Sequence, residues 1–180
     1  PEDPETFAYK PVATVMEGAN LKGMATGLVS TSRFTHATPA AWASHSAERG
    51  NGASDISEHM VYNEIDLIFG GGMRNLVPAN EGGKREDNED LTEVLSSRAA
   101  SGSIAETKTD MDSLWALPAY GMFAWSHMDS EIDRPKYNPE EPSLSEMTAK
   151  AIELLSQDED GFILMVEGSQ VDWAGHNNDP

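Results

Sequence analysis

The chain has 180 residues, and its 31 acidic against 12 basic side chains give a formal net charge of −19. This length fits one domain or a large part of one, and a hydrophobic share of 38% supports a buried core, which excludes wholesale disorder. A surface with this much negative charge repels the phosphates of nucleic acids and anionic lipids. The charge therefore argues against a protein that coats nucleic acid and against peripheral membrane attachment. Without cysteine, no disulfide or thiolate metal site is possible, and the sequence shows no signal peptide or membrane span.

Helix and strand patterns alternate along the first half of the chain. Apolar spacing and turn residues predict, in order, a helix over 11–22, a strand over 24–31, a helix over 39–49, a short helix over 56–62 and a short buried strand over 65–69. Three glycines follow the second strand but lack the Lys-Ser/Thr of a phosphate-binding P-loop. They predict close packing at a turn.

The second half contains two loops, near 78–90 and 125–142, and the first is polar and Gly-rich, so it is a surface loop or partly disordered. The remaining elements are predicted as a helix over 91–100, strands over 103–107 and 119–124, a helix starting after residue 143, and a strand over 162–166.

Together with the alternation of strands and helices along the chain, two features of this second half bear on the fold class. Ser143 and Glu146 form the capping-box pattern at a helix start. The apolar run 162–166 does not alternate, so we expect a strand buried on both faces, as in parallel sheets. The chain therefore predicts an α/β fold with an open, mostly parallel sheet and helices on both faces.

The end of the last predicted strand carries polar residues suited to metal binding. Asp172 and His176 are four residues apart, so on a helix they project from one face, and their oxygen and nitrogen donors suit Zn²⁺. Glu167 lies at the strand tip and suits a second, harder ion such as Mg²⁺. The alternative is that both acids belong to an ordinary helix start and that His176 is a surface residue.

A second polar group follows the first predicted strand. His36 and Thr38 stand just before Pro39, so Thr38 is by default the N-cap of the next helix and His36 a turn residue. Alternatively, the Thr38 hydroxyl binds a hard cation. Arg49, at the end of the same predicted helix, is either a solvated surface residue or reaches back to hold an anionic oxygen.

Taken together, these segments resemble the alkaline phosphatase family. The similar stretches are 35–40 (Thr-His-Ala-Thr-Pro-Ala), 69–72 (Phe-Gly-Gly-Gly), 142–148 (Pro-Ser-Leu-Ser-Glu-Met-Thr) and 166–176, and Arg49 stands at the spacing of the family's phosphate-binding arginine. The resemblance covers nearly the whole chain in the family's order. It implies that residues 1–180 are the central part of a single alkaline-phosphatase-like domain.

The resemblance also implies roles for individual residues. Glu167 and Thr38 would bind magnesium, Asp172 and His176 would bind one of two zinc ions, and the active site would hold two Zn²⁺ and one Mg²⁺. Arg49 would bind the substrate phosphate. His36 stands where many bacterial members have aspartate and animal members have histidine, so it would hold a water on magnesium rather than replace a carboxylate.

The implied activity is metal-dependent hydrolysis of phosphate monoesters through a phosphoserine. The family's serine nucleophile and its remaining metal ligands have no match here, so we expect the isolated segment to be inactive. Small phosphate monoesters as substrates, a homodimer, and a periplasmic or extracellular location are implied by kinship alone. The alternatives are a related phosphodiesterase, phosphonate or sulfate-ester hydrolase, and a non-catalytic metal-binding fragment.

Overall fold

A computed structural model describes residues 11–46 and 53–178, with the side chains of residues 53 and 54 left out. The strands are β1 (Ala25–Arg33), β2 (Leu67–Gly71), β3 (Ala119–Ala124) and β4 (Phe162–Glu167). The α-helices are α1 (Val15–Asn20), α2 (Ala37–Ala43), α3 (Ala53–Tyr62), α4 (Leu91–Arg98), α5 (Lys108–Ser113), α6 (Arg134–Tyr137), α7 (Leu144–Leu155) and α8 (Ser169–Asn177). Two short 3-10 helices, Met73–Asn75 and Ala79–Glu81, lie between β2 and α4.

The four strands form one parallel sheet in the order β3-β2-β1-β4. Strand β1 lies inside the sheet, pairing with β2 on one edge and with β4 on the other. Helices separate the strands along the chain, as parallel pairing requires. The predicted α/β fold class is therefore confirmed.

Helices cover both faces of this sheet. Two consecutive residues of β1 show that the sheet has an apolar cluster on each face, because Leu28 packs into one cluster and Val29 into the other. The first cluster takes buried residues from α1, α2, α3 and α4, and the second takes them from α5 and α7. Successive side chains of a strand point to opposite faces, so a strand with both sets buried needs a layer on each side.

Helix starts follow local capping chemistry. The Ser143 hydroxyl accepts from the backbone N–H of Glu146, whose carboxylate accepts in return from the Ser143 N–H, which confirms the predicted capping box. The first helix does not open at Pro11 as predicted. Thr14 and Glu17 form their own capping box there, so α1 begins at Val15.

In the middle of the chain, one predicted strand is absent and one loop is more ordered than one of its two predicted alternatives. Residues 103–107 form only a single bridge, Ala105 to Gly121, because the turn at Gly102 precedes it and Thr107 already caps α5. The segment 78–90 is ordered around Arg85, whose side chain is fully buried. A buried guanidinium needs several acceptors, and Asp87 and Glu89, two and four residues on, supply them.

Strand β4 is less buried than predicted. It pairs with β1 and has no second neighbour among the described residues, so it forms an edge of the sheet that these residues build. Met165 is buried, but Val166 is 42% exposed. The continuous apolar run of 162–166 correctly predicted a strand. The prediction that this strand is buried on both faces is wrong for the described residues. The predicted helix over 39–49 is also shorter, since α2 ends at Ala43, and residues 47–52 lie outside the described residues.

Candidate metal centre

The ends of β1 and β4 bring the two predicted polar groups side by side. These strands are parallel neighbours, and Ser30 of β1 stands opposite Glu167 of β4 in the register. Both chains leave the sheet at the same edge, β1 toward α2 and β4 directly into α8. In open α/β sheets ligands bind at this carboxyl edge.

A cavity of about 460 Å³ opens between these two connections. Its lining contains five of the six predicted site residues, His36, Thr38, Glu167, Asp172 and His176, together with Ala37 and Trp173. We call it the metal cavity. The sixth predicted residue, Arg49, lies outside the described residues.

Asp172 and His176 lie one turn apart on α8 with their donor atoms close together. The distance from Asp172 Oδ1 to His176 Nε2 is 3.6 Å, which is too long for a hydrogen bond. Two ligands about 2.0–2.1 Å from one tetrahedral Zn²⁺ would lie roughly 3.3–3.4 Å apart. Both side chains are largely exposed, at 70% and 78%, so a shared ion would remain open to further ligands and to substrate.

Glu167 lies apart from that pair. No three acidic or histidine donors of the metal cavity lie within 4.8 Å of one another in the part of the chain that the structure describes. The carboxylate of Glu167 therefore lies more than 4.8 Å from at least one donor atom of the Asp172–His176 pair. One triad does meet that distance, Glu58, Asp87 and Glu89, but Arg85 already forms ion pairs with all three carboxylates.

Thr38 is not the helix cap that the sequence favoured by default. Helix α2 begins at Ala37, so the N-cap position falls on His36, which makes no side-chain capping bond, and Thr38 lies within the first turn. The Thr38 hydroxyl is therefore not used for capping, while its side chain lines the metal cavity.

Three rings pack at the border of the metal cavity. The His127 ring lies 4.6 Å from Trp173 and 5.4 Å from His36, in edge-to-face geometry, and His36 lies 5.4 Å from Trp173. His127 Nδ1 accepts a hydrogen bond of 3.2 Å from the backbone N–H of Arg33. The ring therefore joins the end of β1 to the helix that carries Asp172 and His176.

The pKa of His127 falls to about 4, first because the ring is partly buried and then because Arg33 and Arg74 place positive charge near it. The imidazole is thus neutral at pH 7, as its acceptor role requires. Sequence reasoning missed this residue inside the loop 125–142. Its position just after β3, at the same edge of the sheet, was the available signal.

Residues 5–180 match the family model described as alkaline phosphatase. The chain belongs to the alkaline phosphatase family. It is 42% identical over 171 residues to alkaline phosphatase 3 of Bacillus subtilis, covering 92% of this chain and 34% of that protein. It is 39% identical over 185 residues to the alkaline phosphatase of Schizosaccharomyces pombe, covering 95% of this chain and 34% of that protein.

Solved alkaline phosphatases share the fold. The Thermus thermophilus enzyme superposes with a TM-score of 0.80 at 31% identity, covering 94% of this chain and 34% of that one. The TAB5 enzyme of an Antarctic bacterium gives a TM-score of 0.78 at 32% identity, covering 95% and 47%. A TAB5 variant with one histidine changed to aspartate has Mg bound in its M3 site. The chain thus spans about a third of the length of the curated relatives it matches.

The donors of the metal cavity fit divalent cations. Two carboxylates, two imidazoles and a hydroxyl line it, and no lysine or arginine of the described residues does so. Uncompensated carboxylates in one cavity repel one another unless a cation joins them.

Across the described ranges, no helix has the length and apolar character needed to cross a membrane.

Proposed function

We propose that the whole protein is a metal-dependent alkaline phosphatase that hydrolyses small phosphate monoesters through a phosphoserine. The observation that carries the proposal is the metal cavity, where two separate segments of the alkaline phosphatase family pattern line one space at the carboxyl edge of the sheet. Because the chain spans only about a third of its relatives, this activity is assigned to the protein that contains it.

The proposed ligand sets follow the grouping of donors. Glu167 and Thr38 offer hard oxygen donors, which suit Mg²⁺. Asp172 and His176 offer an oxygen and a nitrogen on one helix face, which suit Zn²⁺. We assign two Zn²⁺ and one Mg²⁺ to the complete active site, where the ions would supply positive charge to the phosphoryl oxygens and lower the pKa of a nucleophile.

Arg49 has the proposed role of binding the phosphate oxygens with two parallel N–H donors. The rest of the site is acidic, as is the protein as a whole, with a net charge of −19. Without cations, Glu167 and Asp172 would repel a phosphate ester from the metal cavity. Metal dependence therefore follows from electrostatics as well as from kinship.

His36 and Trp173 border the same cavity, with their rings 5.4 Å apart. We assign His36 the role of orienting a water molecule on the Mg²⁺ that Glu167 and Thr38 would bind, without itself being a ligand of that ion. The nucleophilic serine and the remaining ligands would come from parts of the protein beyond these 180 residues. A homodimer and a periplasmic or extracellular location belong to the same proposal.

The test is the turnover of p-nitrophenyl phosphate by the full-length protein. We expect activity to be lost after chelation and restored by Zn²⁺ and Mg²⁺ together, and the variant Asp172→Ala to lose one zinc and at least about 100-fold in rate. Glu159→Ala removes an equal charge at an exposed turn and serves as the control. Unchanged metal content and rate in Asp172→Ala would contradict the assignment, as would preferred turnover of bis(p-nitrophenyl) phosphate or a sulfate ester.

A further inference from the structure

A cluster of buried hydroxyls lies beneath the metal cavity. Ser30 and Ser32 of β1 and Ser169 of α8 are each at most 2% exposed. Ser30 Oγ lies 2.7 Å from Ser32 Oγ and 3.2 Å from Ser169 Oγ, and it donates to Glu167 Oε2 at 3.1 Å. Buried hydroxyls are costly unless they are hydrogen-bonded, so this cluster is an organised part of the site.

A count of protons orients the cluster toward Glu167. The Ser30 hydroxyl has one proton and two lone pairs, and the backbone N–H of Ser32 donates to the oxygen at 3.0 Å. The carboxylate of Glu167 is the charged acceptor within reach, so it takes the proton of Ser30. The second lone pair of Ser30 can then accept from Ser32 or Ser169, which polarises the hydroxyl that faces the carboxylate.

The strand register fixes this arrangement. Ser30 and Glu167 are paired residues of neighbouring parallel strands, so their side chains leave the sheet on the same face. The next residue of β1 joins the strand to the start of α8, because Thr31 Oγ1 accepts a hydrogen bond of 3.0 Å from the Ser169 N–H. Among the described residues, Ser30 is the one side chain that donates to Glu167.

We propose that Ser30 is a positioning residue that orients the Glu167 carboxylate for magnesium. The inference rests on the proposed role of Glu167 as a ligand. With Oε2 held by the hydroxyl, the other carboxylate oxygen is the one left for the ion. Mg²⁺ demands near-ideal octahedral geometry, so its affinity depends on a carboxylate that is already oriented.

The experiment measures magnesium affinity in the full-length, zinc-loaded protein by isothermal titration calorimetry with MgCl2, and zinc content by mass spectrometry. Ser30→Ala is expected to weaken magnesium binding by about 10–100-fold, the usual effect of losing a group that orients a ligand, without loss of zinc. Ser30→Thr keeps the hydroxyl and should stay within about threefold of the wild type. Ser57→Ala removes a fully buried hydroxyl that bonds to Arg85 instead, and should leave magnesium affinity unchanged.

Glu167→Ala separates this inference from the proposed function. If Glu167→Ala binds magnesium as the wild type does, the ligand assignment is wrong and the role of Ser30 falls with it. If Glu167→Ala loses magnesium while Ser30→Ala keeps it, the inference alone is wrong. Equal loss of zinc and magnesium in Ser30→Ala, or no rescue by Ser30→Thr, would show a general packing role and also overturn it.

Discussion

His127 should make the stability of the protein depend on pH in a way that one substitution can isolate. Its ring packs against Trp173 and accepts a hydrogen bond from the Arg33 backbone, and burial lowers its pKa from an ordinary 6.5 to about 4. Between these two pH values the unfolded chain binds a proton that the folded protein does not. The free energy of unfolding therefore falls as the pH drops through 6.5, and this loss levels off below about pH 4.

The size of the effect follows from the two pKa values. Each tenfold difference in proton affinity corresponds to about 1.4 kcal/mol, so the folded state would lose roughly 2 kcal/mol between pH 7 and pH 5. The His127 ring is partly exposed, and water screens the charges around it. We therefore expect about 1–2 kcal/mol from this one residue.

Two variants separate the titration from the packing. His127→Asn keeps an acceptor at the position of Nδ1 but does not titrate, and His127→Phe keeps an aromatic ring but loses the acceptor. Urea unfolding of the chelated full-length protein at pH 7 and pH 5 should show a loss in wild type that is about 1–2 kcal/mol larger than in either variant. Equal losses in all three proteins would refute the assigned environment of His127.

Three further predictions concern helix starts and charge. Lys108 and then the Ser143 backbone N–H lower the pKa of Glu146 to about 2. The stability that Glu146 contributes is thus complete above about pH 4.5 and lost as pH falls toward 2. Because this side chain is 38% exposed, Glu146→Gln should cost only about 1 kcal/mol in urea unfolding at pH 7, and no change would contradict the cap. Thr31→Val removes the acceptor of the Ser169 N–H and should cost about 1–2 kcal/mol, with Thr109→Val, exposed on α5, as the control. Chelation should strongly weaken the binding of inorganic phosphate in equilibrium dialysis, since no cation then compensates the carboxylates of Glu167 and Asp172 that repel it; an affinity for phosphate that chelation leaves unchanged would contradict this.

Much of the fold could be predicted because its signals are local. The strand predicted over 119–124 coincides with β3, and the helix after Ser143 starts at its capping box. Predictions failed where tertiary contacts decide. Arg85 is buried against Ser57 and Glu58 of α3, a contact across almost 30 residues that no local pattern identifies. The exposure of β4 depends on which strands flank it.

The candidate site divides in the same way. The four-residue spacing of Asp172 and His176 is visible in the sequence, because helix periodicity alone puts both donors on one face. The roles of Ser30 and His127 depend on strand register and on a contact across 46 residues of chain between His127 and Trp173, which composition and spacing do not encode. Residues that orient a proposed metal ligand are therefore harder to predict from the sequence than the ligand itself.

In the proposed site, the tip of β4 and the first turns of α8 bind two different divalent ions. Crystals of the full-length protein grown with Zn²⁺ and Mg²⁺, measured on both sides of the zinc absorption edge, test it most directly. We expect an anomalous peak in contact with Asp172 Oδ1 and His176 Nε2, and a second, non-anomalous ion at Glu167 and Thr38. An empty helix face in a zinc-loaded active enzyme, or zinc bound only elsewhere, would contradict it.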